Sequence, residues 1–174
     1  GKTSTSYLIA KALEGAGVTT GCTTTALIKI GNVETQNKMK MTMPGRFALQ
    51  KLLRQMRDAG CTHVVLEMTS EGAKQFRHRF IEFDALIFTN LSPEHIESHG
   101  SFENYKNAKL RIAGAVFRSI KRPRYLIANT DNEHGVDFLN FAVEHKIGYG
   151  LKDISLYTLQ KESVTMVIEN TTIR

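Results

Sequence analysis

Short apolar runs alternating with amphipathic helical stretches constrain this chain more than any other feature. Val64-Val65-Leu66, Ala85-Leu86-Ile87-Phe88 and Tyr125-Leu126-Ile127-Ala128 are continuous apolar runs of the kind buried in a parallel sheet. Around them apolar residues recur at helical spacing. Leu8, Ile9, Ala12 and Leu13 mark a helix over about 3–16, and Phe47, Leu49, Leu52, Leu53 and Met56 mark another over 46–59. Further helices are predicted over about 102–120, with Ser101 as N-cap, and over about 133–143. Strand and helix alternating through short loops predict an α/β fold with a doubly wound, mostly parallel sheet. Residues 18–30, rich in Thr and β-branched side chains, read as extended, with a break at Gly31-Asn32. Residues 38–43 read as a short strand or loop.

After about Gly150 the pattern changes. Residues 154–159 and 164–168 read as two strands joined at Lys161-Glu162-Ser163, a small antiparallel hairpin. The expected organisation is one α/β domain over residues 1–150, with 151–174 as a hairpin extension of it.

Ligands of doubly wound sheets bind beyond the carboxyl ends of the strands. Polar residues stand at those ends here: Glu67, Asn90, Asn129 and Asp131. The chain opens on Gly1-Lys2-Thr3-Ser4 running into a helix, which is the second half of a phosphate-binding loop. An earlier Gly, a loop and a strand complete that pattern, and they would precede residue 1. Lys2 can reach phosphate oxygens as a point charge, Thr3 can ligate Mg²⁺, and the backbone N–H groups of a helix start favour an anion. By itself the tripeptide is equally an ordinary helix start. Glu67, ending a buried strand, has the placement of an acid that holds Mg²⁺ opposite such a loop.

Composition narrows the partners. At 174 residues the chain has room for one full domain. The net charge of +6 suits anionic partners such as nucleotides or nucleotide-sugars. Its lysines and arginines are spread along the chain without the aromatic-interleaved stripe of a nucleic-acid binder, so no nucleic-acid partner is expected. No apolar run approaches the roughly 20 residues that span a bilayer, so no membrane partner is expected either. Cys22 and Cys61, without CxxC spacing, read as reduced thiols of a cytoplasmic protein.

The most unusual stretch is Thr89 to Gly100, TNLSPEHIESHG, with two His and two Glu before a helix. His95 is a candidate metal ligand, although a single loop histidine is ordinarily solvated or hydrogen-bonded. Lys109 lies inside the following helix and, read alone, is a solvated or snorkelling lysine.

Read together, GKTST, LEMTSEG, FTNLSPEHIESHGSFENYKNAK and ANTDNE resemble the central ATP-binding domain of the Mur ligases. The likeness is greatest to the members that add the third residue of the peptidoglycan stem peptide. It covers nearly the whole chain, and the Asn90-to-Lys109 block is its most specific part. The resemblance implies an enzyme in which ATP phosphorylates the terminal carboxylate of a UDP-MurNAc-dipeptide. An incoming amino acid's amine then attacks the acyl phosphate. The implied cofactors are ATP and Mg²⁺, and the implied partners are a UDP-MurNAc-peptide and an amino acid.

Carried over by residue, Gly1, Lys2, Thr3 and Ser4 match the phosphate loop. Thr3 and Glu67 match ligands of a first Mg²⁺, and His95 a ligand of a second. Lys109 matches a lysine that family members carbamylate, which turns an ammonium into an anionic ligand for that second ion. Asn129 and Asp131 match a motif near the adenine nucleotide. Thr42, Met43, Thr69, Gln75 and Arg77 match contacts to the UDP-sugar substrate, Arg77 being suited to a carboxylate or phosphate. Met43 stands where a second Thr is usual, Thr69 where Ser is usual, Glu71 where Gln or His is usual, and Glu94 where Asp is usual. The family's N-terminal UDP-binding and C-terminal amino-acid-binding domains have no counterpart in these residues, so the chain reads as a fragment that alone ligates nothing. The competing readings are another member of the superfamily, such as a folylpolyglutamate synthase, and a non-catalytic ATP-binding module.

Overall fold

A computed structural model describes residues 1–39, 41–93 and 97–154, and the backbone of 96, 156–159, 164–168 and 171–173. The chain forms two compact units, residues 1–81 with 93–112 and residues 82–92 with 113–174.

In the first unit, helix α1 (Lys2–Gly15) leads into β1 (Thr20–Thr23), β2 (Leu27–Ile30) and β3 (Val33–Gln36). Helix α2 (Arg46–Asp58), β4 (His63–Leu66), α3 (Ser70–Lys74) and α4 (Ile96–His99) follow. Helix α5 (Phe102–Arg118) gives its first turns to this unit and its last to the second. The sheet order is β3-β2-β1-β4. β1 runs parallel to β4, with Cys22 opposite Val65, and antiparallel to β2, which is in turn antiparallel to β3. The extended stretch expected over 18–30 is thus two strands of an antiparallel meander, turned at Thr24-Thr25-Ala26. Residues 38–39 and 41–43 are loop.

Helix α2 forms because Leu49, Leu52 and Met56 recur at one face, and these three are buried. Both α1 and α2 end by one device. Gly17 and Gly60 take left-handed φ of 81° and 80°, and the next N–H reaches back to Leu13 and Met56. Only glycine adopts that φ without strain, so these two residues stop the helices and turn the chain into β1 and β4. β4 is an edge of its sheet, and its apolar run is half-buried only toward its end: Val64 is 37% exposed. Cys22 and Cys61 are unbridged.

The second unit has a parallel sheet of β5 (Ala85–Phe88), β6 (Tyr125–Asn129) and β7 (His145–Tyr149), in that order. Helix α6 (Gly135–Leu139) crosses from β6 to β7 and is shorter than its apolar pattern predicts. Phe138 of α6 stacks on Phe88 at 4.0 Å between ring centroids, and both are buried. β8 (Leu156–Leu159), β9 (Val164–Ile168) and β10 (Thr171–Ile173) make an antiparallel sheet. The predicted hairpin gains a third strand, and its connection at 161–163 lies outside the described residues. Among the described residues no helix is long and apolar enough to cross a membrane.

Candidate functional site

Helix α1 begins at Lys2 with Gly1 as its N-cap, no side-chain cap and no acidic residue in its first turn. The first helical bond, Thr5 N to Gly1 O at 3.0 Å, leaves the N–H groups of Lys2, Thr3 and Ser4 ahead of any helical acceptor. Lys2 and Ser4 are exposed. A bare, positive helix end with a lysine on it is an anion-binding arrangement.

Glu67 follows β4 and is 4% exposed. Its N–H continues the parallel pairing onto Thr23 O at 2.9 Å, which fixes where its side chain starts. The Thr3 hydroxyl donates to both carboxylate oxygens at 3.0 Å. Thr25 donates its backbone N–H to Oε2 at 2.8 Å and its hydroxyl to Oε1 at 3.2 Å. The Thr25 and Thr42 hydroxyls are 2.7 Å apart. The start of α1, the β1–β2 turn and the end of β4 therefore meet at one carboxylate, with the loop before α2 joined to it through Thr25. Every one of these donors is neutral, and among the described residues no cation pairs with Glu67. Burial, with the Glu67 charge adding to it, pushes the Cys22 thiol up to about 11.

This oxygen set fits Mg²⁺, which takes hard oxygen ligands and is held by one or two carboxylates, with phosphates and waters completing its shell. Thr3 commits its proton to Glu67 and keeps oxygen lone pairs for a cation. No group of three or more His, Cys, Asp and Glu stands ready for a metal among the described residues, and Mg²⁺ beside a phosphate needs none.

A second group lies along α3 and the turn after it. Thr69 caps α3, its hydroxyl accepting from Gly72 N at 3.0 Å. Gln75 Nε2 donates to Glu71 Oε1 at 2.5 Å. Arg77 Nε and Nη2 donate to Gln75 Oε1 at 2.9 and 2.6 Å, and Nη1 donates to Met43 O. Phe76, between them, takes a left-handed φ of 54°, which costs about 1 kcal/mol in a non-glycine residue. Its ring has the Arg79 and Arg111 guanidinium groups 4.9 and 4.8 Å from its centroid. Met43 is 3% exposed and packs on Gly72, where an added Cβ would lie 2.6 Å from Met43 Sδ. Where a threonine would offer a hydroxyl, this chain has a buried thioether and uses the backbone carbonyl instead.

Lys109 is half-buried on α5, its Nζ 4.7 Å from the Tyr105 ring centroid. Glu94 and His95 lie outside the described residues. His99, 7% exposed, bonds Ser70 Oγ through Nε2 at 3.1 Å, and Lys74 Nζ donates to Ser98 O at 2.5 Å, so α3 is fastened to α4.

In the second unit Asn129 Nδ2 donates to Thr89 O at 3.0 Å, and its Oδ1 accepts from Asp131 N at 3.0 Å. Asp131 Oδ2 accepts from Leu151 N at 2.7 Å. Asn132 Nδ2 bonds Asn90 Oδ1 at 2.9 Å and Leu91 O at 3.0 Å. These amides tie the ends of β5 and β6 together. Sequence reasoning missed Asn132, Thr25 and Ser70. The threonines of 19–25 signal only β-propensity, while Asn132 had a signal in its place beside Asp131.

The family model for the Mur ligase middle domain matches residues 1–173. A UDP-N-acetylmuramoyl-L-alanyl-D-glutamate--2,6-diaminopimelate ligase of Halalkalibacterium halodurans is 30% identical over 174 residues, covering 99% of this chain and 34% of that protein. A UDP-N-acetylmuramyl-tripeptide synthetase of Roseiflexus sp. is 35% identical over 153 residues, covering 82% of this chain and 30% of that protein. The chain thus spans about a third of the length of these curated relatives. A solved structure of a UDP-N-acetylmuramoyl-L-alanyl-D-glutamate--2,6-diaminopimelate ligase superposes with a TM-score of 0.77 at 22% identity, over 98% of this chain and 36% of the other. That likeness establishes the α/β fold.

Proposed function

Because this chain belongs to the Mur ligase middle-domain family, we propose that it is the ATP-binding part of a ligase that joins an amino acid to a UDP-N-acetylmuramoyl dipeptide. The observation that carries the reading is the junction of the α1 start with Glu67. A bare helix end with Lys2, suited to phosphates, adjoins a buried, uncompensated carboxylate suited to a divalent cation. Phosphoryl transfer to a carboxylate makes that demand, since oxyanions crowd together and cationic and N–H groups must neutralise them.

In this reading the N–H groups of Lys2, Thr3 and Ser4 bind and orient the phosphates, with Gly1 leaving room for their approach. Lys2 supplies a mobile positive charge at the transferring group. Thr3 and Glu67 would hold Mg²⁺, which supplies Lewis-acid neutralisation of phosphoryl oxygens. Thr25, by donating two hydrogen bonds to Glu67, holds that carboxylate in place. By resemblance, His95 and a carbamylated Lys109 would hold a second Mg²⁺, and Asn129 and Asp131 would serve the nucleotide. Thr42, Thr69, Gln75 and Arg77 would serve the UDP-sugar peptide, with Met43 contributing through its backbone.

The test is turnover by the full-length protein. With ATP, Mg²⁺, a UDP-MurNAc-dipeptide and a panel of amino acids, ADP release should depend on the dipeptide and on one amino acid together. Release that ignores the dipeptide would overturn the reading.

A further inference from the structure

Glu71 is the one acidic residue of α3, and it makes one hydrogen bond, through Oε1 to Gln75 Nε2 at 2.5 Å. Its other oxygen, Oε2, is buried with no hydrogen-bond partner among the described residues. Leaving a carboxylate oxygen so placed costs folding free energy, and a neutral side chain of the same shape would lower the cost. The charge therefore calls for a reason other than packing.

An amide side chain has a donor end and an acceptor end, and either can face a partner able to do both. An ionised carboxylate only accepts. Beside Glu71, the NH₂ of Gln75 must point at the carboxylate, and its carbonyl oxygen must point the other way. That oxygen is what Arg77 Nε and Nη2 hold, at 2.9 and 2.6 Å. Arg77 Nη1 is held by Met43 O and, at 3.7 Å, by the weak acceptor Met41 Sδ. The guanidinium is thus anchored on one edge by the amide and at one nitrogen by the backbone. A thioether, readily displaced by an anionic oxygen, is among its contacts. A Gln or His at position 71 can donate as well as accept, so it would leave Arg77 alone to hold the amide in this sense. With the amide reversed, an NH₂ would meet the guanidinium and repel it.

We propose that Glu71 is a positioning residue. By fixing which end of Gln75 faces Arg77, it sets the guanidinium in one orientation for an oxyanion, carboxylate or phosphate, of the substrate. The inference rests on the reading of this site as one for a UDP-MurNAc-peptide. It adds the residue that decides how firmly that substrate is held.

The experiment is calorimetric binding to the full-length protein, with UDP-MurNAc-dipeptide and ATP titrated separately, in wild type, Glu71→Gln and Glu71→Leu. Both variants should weaken dipeptide binding about tenfold, the effect of one misdirected charged hydrogen bond. ATP binding should stay within about twofold. The melting temperature of Glu71→Gln should hold or rise, because a buried, half-used charge is gone, whereas a purely structural role would lower it. Where turnover is measured, KM for the dipeptide should rise and kcat hold. Dipeptide affinity unchanged in both variants, against a wild type that binds, would overturn the role of Glu71 alone. A wild-type protein that binds no UDP-MurNAc-dipeptide would overturn the underlying substrate reading, and the inference with it.

Discussion

Two carboxylate clusters of the first unit use the same residue type and differ in what surrounds it. Glu67 is met by two threonine hydroxyls and one backbone N–H, all neutral. Glu14 and Glu34 are met by ammonium groups. Lys29 Nζ lies 2.6 Å from Glu14 and 3.2 Å from Glu34, and Lys11 Nζ lies 3.3 and 2.7 Å from the same pair. Burial works to lower the Lys29 pKa, but the hydrogen bonds to Glu14 and Glu34 outweigh it and hold the ammonium above its ordinary range. Lys29 holds Glu14 below the usual carboxylate range, and Lys11 does the same chiefly for Glu34. The second cluster is electrically closed and fastens α1 to the β2–β3 ribbon. The first is open, holding a negative charge with coordination positions still to fill. Acidic residues alone do not mark a cation site; a buried carboxylate met by neutral donors beside a bare helix end does.

The comparison breaks most sharply at Glu67. Glu67→Gln keeps the shape and one acceptor, and it removes the charge. Ligase turnover of the full-length protein should fall about 10²–10³-fold, the scale for losing one group that stabilises transferring charge. The melting temperature should move little, since the donors around position 67 keep a partner. Raising Mg²⁺ should recover part of the activity. A variant with wild-type turnover at ordinary Mg²⁺ would take Glu67 out of the metal site.

Lys29→Met should do the reverse. The side chain is 3% exposed, and its loss leaves two acids with Lys11 as their remaining cation. Breaking a buried pair by removing one member costs several kcal/mol where the other stays buried. Here Glu14 and Glu34 reach solvent and keep Lys11, so a smaller loss of about 1–2 kcal/mol is expected, read as a melting point roughly 5 °C lower. Turnover per folded molecule should hold. A large drop in kcat with an unchanged melting point would mean that the two clusters are not separable.

Much of this was legible in the sequence, and the gaps have physical causes. β5 and β6 could be read because apolar runs mark them, and Glu67 because a strand end delivers it. β3 could not, since Val33, Glu34, Thr35 and Gln36 are all exposed and carry no alternation. β7 was hidden by a mostly exposed HKIGY run in which Ile147 is itself 47% exposed. The predicted helix over 133–143 shrank to a single crossover of five residues, because Phe141-Ala142-Val143 turn into β7 instead. In the site, the link between Gln75 and Arg77 depends on a left-handed turn at Phe76, a residue that gives no sign of it in sequence. The roles of Thr25 and of the Met43 carbonyl depend on loops folding back over long separations, and no local pattern encodes that.

The smallest effect, and the finest test of the comparison, is in the second unit. Glu144 is a third kind of carboxylate: accessible to solvent, yet bonded by Arg124 Nε at 2.9 Å and Nη2 at 2.7 Å and by the Arg124 backbone N–H at 2.8 Å. Arg124, itself 7% exposed, draws the Glu144 pKa from its ordinary 4.5 down to about 2. A carboxyl group whose folded pKa lies below its unfolded one binds its proton more readily when unfolded. Its contribution to stability is therefore complete above about pH 4.5 and is lost as pH falls toward 2. Glu144→Gln should flatten the acid limb of a melting-temperature profile between those values and leave the profile near pH 7 parallel to wild type. An acid limb equally steep in wild type and in Glu144→Gln would mean that the cation beside Glu144 does not close its charge, and that neighbouring cations alone do not separate fastening carboxylates from open ones.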